Sequence, residues 1–403
     1  MHILRNGRLI HKKLLILLVV TLLWWIADFA LEFTFPTYLE GLGKSYFEIG
    51  LLLSIAAGSG LLVDLPMGVL SDKASRRNLM ILGLSLMIVS CFMIFYLKLG
   101  AVLFISFALW GMAYQIWRVP RDAQFASQTD RFDRGQEYGL DIEMKYIGQS
   151  VGAILAGVII SYAGFHGIVS FYGVLLLIGI VVLVVSLKET SKAPISSTIK
   201  ACSNTSALSS SLKEIKVLGR FGMVLICFAM LFMVWESVLL TFQPLFYGPD
   251  VLNIPPELGG LLMASFSIPG IVLSYPAGRM ADKYGKRLVL TLGLMIIGAS
   301  LILFSFSTQI SHIFLFALLT SVGWVLSLPA LNGLIIDTSI GQKRGCVVGL
   351  LDFFMDLGFV LGPLVGGLIA QLFGLKSIFL AIGSIFLASL VLFSLVRQDS
   401  KAE

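Results

Sequence analysis

Carboxylates stand inside long apolar stretches of this 403-residue sequence. Asp28 follows "LLILLVVTLLWWIA" and lies about 15 residues into its stretch, roughly 22 Å at ~1.5 Å of helical rise per residue. Glu32 comes one turn later on the same helical face. Glu236 sits at similar depth in "FAMLFMVWESVLL". Asp352 and Asp356 form an i, i+4 pair in a later stretch, with Asp356 roughly 18 Å from its start by the same ~1.5 Å rise. If the surrounding medium is lipid, a charged acid near its centre costs about 2.5–3.5 kcal/mol, so such a residue is a functional candidate by default. The chemistry open to it is proton uptake and release. Glu32 is also compatible with a solvated place in the outer headgroup layer. Asp356 is compatible with a second proton site or with a pair to Lys145.

Aromatic residues supply the second candidate set. Trp110, Tyr114, Trp117, Arg118 and Arg121 recur at helical spacing. Trp110 and Tyr114 are placed either as an aromatic floor for a substrate or as packing against lipid and helices. Trp235, Trp324, Gln243 and Asn332 are weaker candidates of the same kind. The four histidines and four cysteines are scattered at no metal or redox spacing, so no metal and no cofactor is expected. No nucleophile–base constellation points to an enzyme. "GLGKS" (41–45) ends like a phosphate-binding loop, but position 38 is Tyr38 where that motif needs glycine.

The elements that must position these residues follow from composition. Hydrophobic residues make up 57% of the chain and charged residues only 13%, against about 25% charged in a soluble domain. Apolar runs near the ~20 residues of a membrane span recur at 14–36, 46–70, 79–98, 101–121, 138–162, 168–187, 222–246, 258–278, 288–306, 310–334, 346–372 and 376–396. They are too long for barrel strands, so spans 1 to 12 are helices. The first run is too long for a signal peptide, and no small-residue cleavage site follows it. With the N-terminus in the cytoplasm, 26 of the 29 Lys and Arg fall at cytoplasmic ends, loops or tails, and only Lys44, Lys98 and Lys376 fall outside. Both termini are then cytoplasmic. The net charge of +6 reflects topology rather than nucleic-acid binding. Asp141, Glu143 and Lys145 begin span 5 and read as interfacial. Residues 188–216, rich in Ser, Thr and Lys, read as a cytoplasmic linker between a six-helix bundle at 1–187 and another at 217–403.

A shift of 210 residues superposes the two halves without a gap. Pro66, Gly68, Asp72, Lys73 and Arg77 land on Pro276, Gly278, Asp282, Lys283 and Arg287. Arg134, Gly139, Gly148, Gly152, Gly157 and Gly164 land on Arg344, Gly349, Gly358, Gly362, Gly367 and Gly374. Gly50 lands on Gly260 and Trp25 on Trp235. The halves are parallel copies.

The duplicated "GVLSDKASRR" and "GRMADKYGKR", with the span count and central linker, resemble the major facilitator superfamily of secondary transporters. The resemblance covers nearly the whole chain. Ser75 departs from the usual glycine of the loop motif, which the second copy keeps as Gly285. The resemblance implies an all-α fold of twelve transmembrane helices in two pseudo-symmetric six-helix bundles, with a substrate site near the midplane. It implies that Gly68 and Gly278 permit close helix approach. It also implies a cytoplasmic latch built from Gly68, Asp72, Lys73, Arg76, Arg77, Gly278, Asp282, Lys283 and Arg287. Asp72 would meet the start of span 11 near Arg344, and Asp282 the start of span 5 near Arg134. A purely topogenic basic loop is the plainer reading. "GFVLGPLVGG" (358–367) matches the glycine–proline motif that antiporters of the family carry in span 5. Here it lies in span 11, and span 5 has Ala153 in place of the proline. Gly148, Gly152, Gly358, Gly362 and Pro363 are otherwise helix-packing residues. In the family, spans 1, 4, 7 and 10 line the cavity. Asp28, Glu32 and Glu236 would then repel one another there, and at least one would hold a proton. Span 4 has no cation before Arg118, so the arginine of many proton antiporters is missing.

The function expected is proton-coupled export of an amphipathic, cationic or neutral small molecule by alternating access. Uptake of a sugar or organic acid is the alternative within transport, and sodium the alternative ion. A non-transporting membrane sensor or scaffold is the alternative class. The partners expected are the small-molecule substrate, protons and the lipid bilayer, with a monomer as the assembly.

Overall fold

The computed structural model describes residues 4–5, 8–9, 12–97, 100–128, 134–186, 219–338 and 344–395, with the side chains at 4–5, 8–9, 12–13, 65, 134–138, 219 and 344–348 outside that description. The expected linker 188–216 therefore lies outside the described residues. Two residue pairs, β1 (Leu4–Arg5) and β2 (Arg8–Leu9), bridge antiparallel near the N-terminus. Among the described residues every other regular element is a helix. In order they are α1 (Lys12–Gly41), α2 (Tyr46–Lys73), α3 (Arg76–Tyr96), α4 (Gly100–Gln128), α5 (Arg134–Ser186), α6 (Gly219–Tyr247), α7 (Pro256–Ser265), α8 (Ile268–Tyr284), α9 (Lys286–Phe306), α10 (Ile310–Thr338), α11 (Arg344–Phe373) and α12 (Leu375–Leu395).

Eleven helical stretches among the described residues are long and apolar enough to cross a membrane. One of them, Gly139–Ser186, has 48 residues. At ~1.5 Å per residue it is roughly 72 Å long, over twice the ~30 Å hydrocarbon core. It divides at Gly164, whose φ of 62° and ψ of −164° are non-helical. Spans 5 and 6 meet there, which gives the twelve spans of the fold. Gly374, 210 residues later, also has a positive φ, 86°, and separates α11 from α12. The same glycine thus turns the chain between the fifth and sixth spans of each copy. Span 8, expected as one helix, is broken into α7 and α8 around Ser267, because the Pro269 ring removes a backbone donor at the restart.

Sequence punctuation explains the other ends. Ser45 and Glu48 form a reciprocal capping box: the Ser45 N–H donates to Glu48 at 2.9 Å, and the Glu48 N–H donates to Ser45 Oγ at 3.3 Å. "GLGKS" thus runs from the end of α1 to the cap of α2. Ser75 caps α3 from an extended backbone, φ −67°. Its counterpart Gly285 turns the corner between α8 and α9 with φ +94°.

The chain forms two compact units, Met1–Pro194 with Tyr247–Ala264, and Ile195–Phe246 with Ser265–Glu403. Within the first, α1 packs on α5, and α4 on α2 and α3. Its core joins Phe35, Phe95, Phe107 and Trp110. Within the second, α10 packs on α8 and α9, and α9 on α12. Its core joins Phe246, Phe266, Phe304 and Phe379. Large apolar side chains such as Leu62, Val185, Val272 and Leu395 remain exposed on the outside, as lipid-facing residues do.

The repeat extends to packing. A Cβ on Gly83 would meet the Trp117 backbone, and one on Gly293 would meet Ser327. Gly111 lies against the Ala56 carbonyl, and Ser321 donates a hydrogen bond to the Phe266 carbonyl. Each second pair is the first advanced by 210, so the sequence offset is also the structural register.

A Cβ at Gly68 or Gly278 would meet nothing within 4 Å. Further tight contacts lie at the glycines of spans 5 and 11. Gly148 and Gly152 press α5 onto Trp25, Ile26 and Ala30 of α1. Gly358 and Gly362 press α11 onto Met230, Val234 and Ser237 of α6. Pro363 is buried within α11.

Candidate functional site

Asp28 lies on the face of α1 turned away from the α5 contact. That contact uses Trp25, Ile26, Phe29 and Ala30, which leaves Trp24, Asp28 and Phe35 on the opposite side of a 3.6-residue helix. That side meets α4: the Trp24 ring lies 5.4 Å from Tyr114 and 5.9 Å from Trp117, and Phe35 lies 5.3 Å from Trp110. Asp28 is fully buried, and neither carboxylate oxygen has a hydrogen-bond partner among the described residues. Glu32, Tyr114 and Tyr172 are within electrostatic range of it. Tyr172, on the second part of α5, is itself buried and accepts a 3.4 Å hydrogen bond from the Trp110 indole. A fully buried carboxylate with no hydrogen-bond partner among the described residues, within electrostatic range of two phenols, calls for an explanation.

Toward the loop end of α4 the chemistry becomes ionic. Arg118 lies 5.9 Å over the Tyr114 ring, donates to Gln115 at 2.9 Å and pairs with Asp64 of α2 at 3.7 Å. Arg121 is buried. It donates to Thr21 of α1 at 3.1 Å and pairs with Asp122 at 2.6 Å and with Asp141 of α5. Asp141 is half-buried there, the ion pair offsetting part of its desolvation. Lys145, four residues on, covers the Trp25 ring at 5.4 Å.

The structure brings Asp28, Glu32, Trp110 and Tyr114 together in the first unit. Glu236, Trp235, Trp324 and Asp356 belong to the second. Trp235 is buried 6.4 Å from Phe266, and Trp324 meets Phe232 edge-on at 5.2 Å. Asp356 is half-buried and Asp352 exposed.

The loop-motif cations anchor each loop to its own unit. Arg76 pairs with Asp72 at 3.6 Å and donates to the Ala123 carbonyl at 3.1 Å. Lys286 pairs with Asp337 at 2.7 Å, and its side chain lies beside Gly333, the counterpart of Ala123. Arg287 stacks on Phe393 at 5.0 Å and donates to that residue's carbonyl. Lys283 lies over Tyr284, and Asp282 is exposed. The side chains of Arg134 and Arg344, the expected latch partners, lie outside the described residues.

Sequence reasoning missed Tyr172 and the Arg121–Asp141 pair. Tyr172 is one tyrosine in a long apolar span, and nothing in its neighbours marks it. Asp141 stands near the start of a span, where acids are usually solvated.

Comparison with known proteins completes the assignment. The family model described as Major Facilitator Superfamily matches residues 14–255 and 237–403. Multidrug resistance protein 2 of Bacillus subtilis (strain 168) is 27% identical over 150 residues, 37% of this chain and 37% of that protein. Quinolone resistance protein NorA of Staphylococcus aureus (strain MRSA252) is 30% identical over 112 residues, 28% of this chain and 29% of that one. The match thus spans about a third of the length of these curated relatives. Among solved structures, the nucleoside transporter NupG superposes with a TM-score of 0.74 at 16% identity, covering 96% of this chain and 99% of its own. A POT family transporter in complex with 5-aminolevulinic acid also reaches 0.74, at 10% identity, covering 97% and 96%. These likenesses bear on the fold. The chain belongs to the Major Facilitator Superfamily: it is a multi-pass membrane protein of a transporter family, not an enzyme.

Proposed function

We propose that this protein is a secondary active transporter that exports an amphipathic, cationic or neutral small molecule in exchange for protons, by alternating access, with Asp28 as the proton-carrying group. The observation that carries the reading is the buried Asp28 carboxylate without a hydrogen-bond donor. An anion so placed is costly, so taking up and releasing a proton is the chemistry this position can perform. The surrounding rings suit a lipophilic cargo, and a cationic one gains from the π faces. The names of the two bacterial relatives, both resistance proteins, favour export over uptake of a sugar or organic acid. Glu32, Glu236 and Asp356 are further candidates for the coupled proton, and the loops around Asp72 and Asp282 are proposed as latch elements.

Everted membrane vesicles with a dye-monitored proton gradient test this reading. Ethidium added to the parent protein is expected to collapse part of the gradient, and the Asp28→Asn protein is expected not to respond. Ethidium movement at the parental rate without any gradient, or an undiminished response in Asp28→Asn, would overturn the proton-carrying role. A gradient response to sugars instead of ethidium would favour uptake.

A further inference from the structure

The internal repeat supplies a control for the charged residues of the first copy's helices, because each such position has a counterpart 210 residues on. The packing pairs Gly83–Trp117 and Gly293–Ser327, and Gly111–Ala56 and Ser321–Phe266, establish that register. Arg121 corresponds to Leu331 and Asp141 to Leu351, both buried. Asp122 corresponds to Asn332 and Thr21 to Leu231. Where the second unit has two buried leucines, the first holds an ion pair whose arginine also reaches a third helix.

A buried ion pair is a poor device for stability. Replacing one by well-packed apolar residues is often neutral or stabilising, whereas removing a single partner is harmful. The second unit shows that this fold accepts a buried leucine at each of the two positions. The charges at Arg121 and Asp141 therefore call for another explanation. The geometry gives one. Arg121 is on α4, Asp141 on α5 and Thr21 on α1, and the guanidinium holds all three. Thr21 lies seven residues from Asp28, two turns or roughly 10 Å along α1. The other charged groups acting here are Asp122 on α4 and Lys145 on α5.

We infer that Arg121 and Asp141 are positioning residues for transport: the pair binds the ends of α1, α4 and α5 into one body, so that a change in the protonation of Asp28 is transmitted along α1 to the charged-loop end of the unit. This rests on the reading of Asp28 as the proton carrier. The planar fork of arginine, which meets acceptors on three sides at once, suits it to this task better than the point charge of a lysine.

The test copies the second unit's solution. In the double variant Arg121→Leu with Asp141→Leu, membrane abundance and Tm should match or exceed the parent's. Ethidium-driven collapse of the proton gradient should fall roughly tenfold or more, within the usual range of coupling between sites, and its dependence on pH should flatten. Arg121→Lys should retain part of the flux with a displaced pH profile. A double variant with the parent's flux and pH profile would overturn the inference while leaving Asp28 untouched. So would a double variant that fails to reach the membrane or loses its thermal stability, since the pair would then be structural. A parent protein that moves no protons would remove the reading of Asp28 and this inference together.

Discussion

At the scale of single residues, Asp28 sets function against stability. Its counterpart in the second unit is Val238, equally buried. An unsatisfied buried polar group costs roughly 1–3 kcal/mol, so Asp28→Val should raise the Tm of the purified protein while abolishing proton-coupled flux. A lower Tm would mean that the carboxylate is held by interactions other than those described above. Asp28→Asn should also lose coupling, with little change in Tm, because it keeps the shape and the polarity. Both proteins can be compared by thermal unfolding in detergent beside the vesicle assay. Asp28 itself was legible as a carboxylate in an apolar run; its lack of a partner was not, because that depends on which face of α1 meets α4.

At the scale of elements, the glycines divide into those that are pressed and those that are not. A Cβ on Gly152 would strike the Ile26 carbonyl and lie 3.2 Å from the Ala30 nitrogen, both backbone atoms with no room to yield. Gly152→Ala should therefore destabilise the α1–α5 contact by about 1–3 kcal/mol. Gly68→Ala, with nothing within 4 Å, should be neutral or stabilising, by up to ~1 kcal/mol of helix propensity. A matched pair of thermal melts decides, and equal losses in the two variants would contradict the packing. Gly285→Ala should cost roughly 1–3 kcal/mol, because its φ of +94° is one that alanine rarely adopts. The corresponding change Ser75→Ala removes only a helix-capping hydroxyl and should cost about 1 kcal/mol. The repeated loop motif is thus one sequence pattern with two backbone solutions.

At the scale of the molecule, the division of α5 at Gly164 has a topological consequence. Twelve spans place both termini on one side of the membrane, whereas an unbroken α5 would place them on opposite sides. Single cysteines introduced near the two ends of an otherwise cysteine-free protein should both resist a membrane-impermeant maleimide added to intact cells, and both react in everted vesicles. Labelling of one end only from outside would refute the twelve-span arrangement. The repeat also shows where function has diverged. Asp28, Arg118, Arg121 and Asp141 of the first copy correspond to Val238, Leu328, Leu331 and Leu351 of the second, while Glu236, Asp352 and Asp356 of the second correspond to Ile26, Ile142 and Tyr146 of the first, so the two copies carry their charges at different points of a shared scaffold.

The sequence by itself determined the medium, the number of spans, the repeat and its register, because each is written in one dimension: apolar run length, the distribution of Lys and Arg, and a constant offset of 210. It also marked Asp28, since an acid in an apolar run is anomalous wherever it points. Only the tertiary structure decided that Gly148 and Gly152 press α5 onto α1. It alone brought Asp141 to Arg121 and set Tyr172 against Trp110. Those outcomes depend on which faces of different helices meet, and helical periodicity fixes a residue's angle on its own helix but not the neighbour that angle will find.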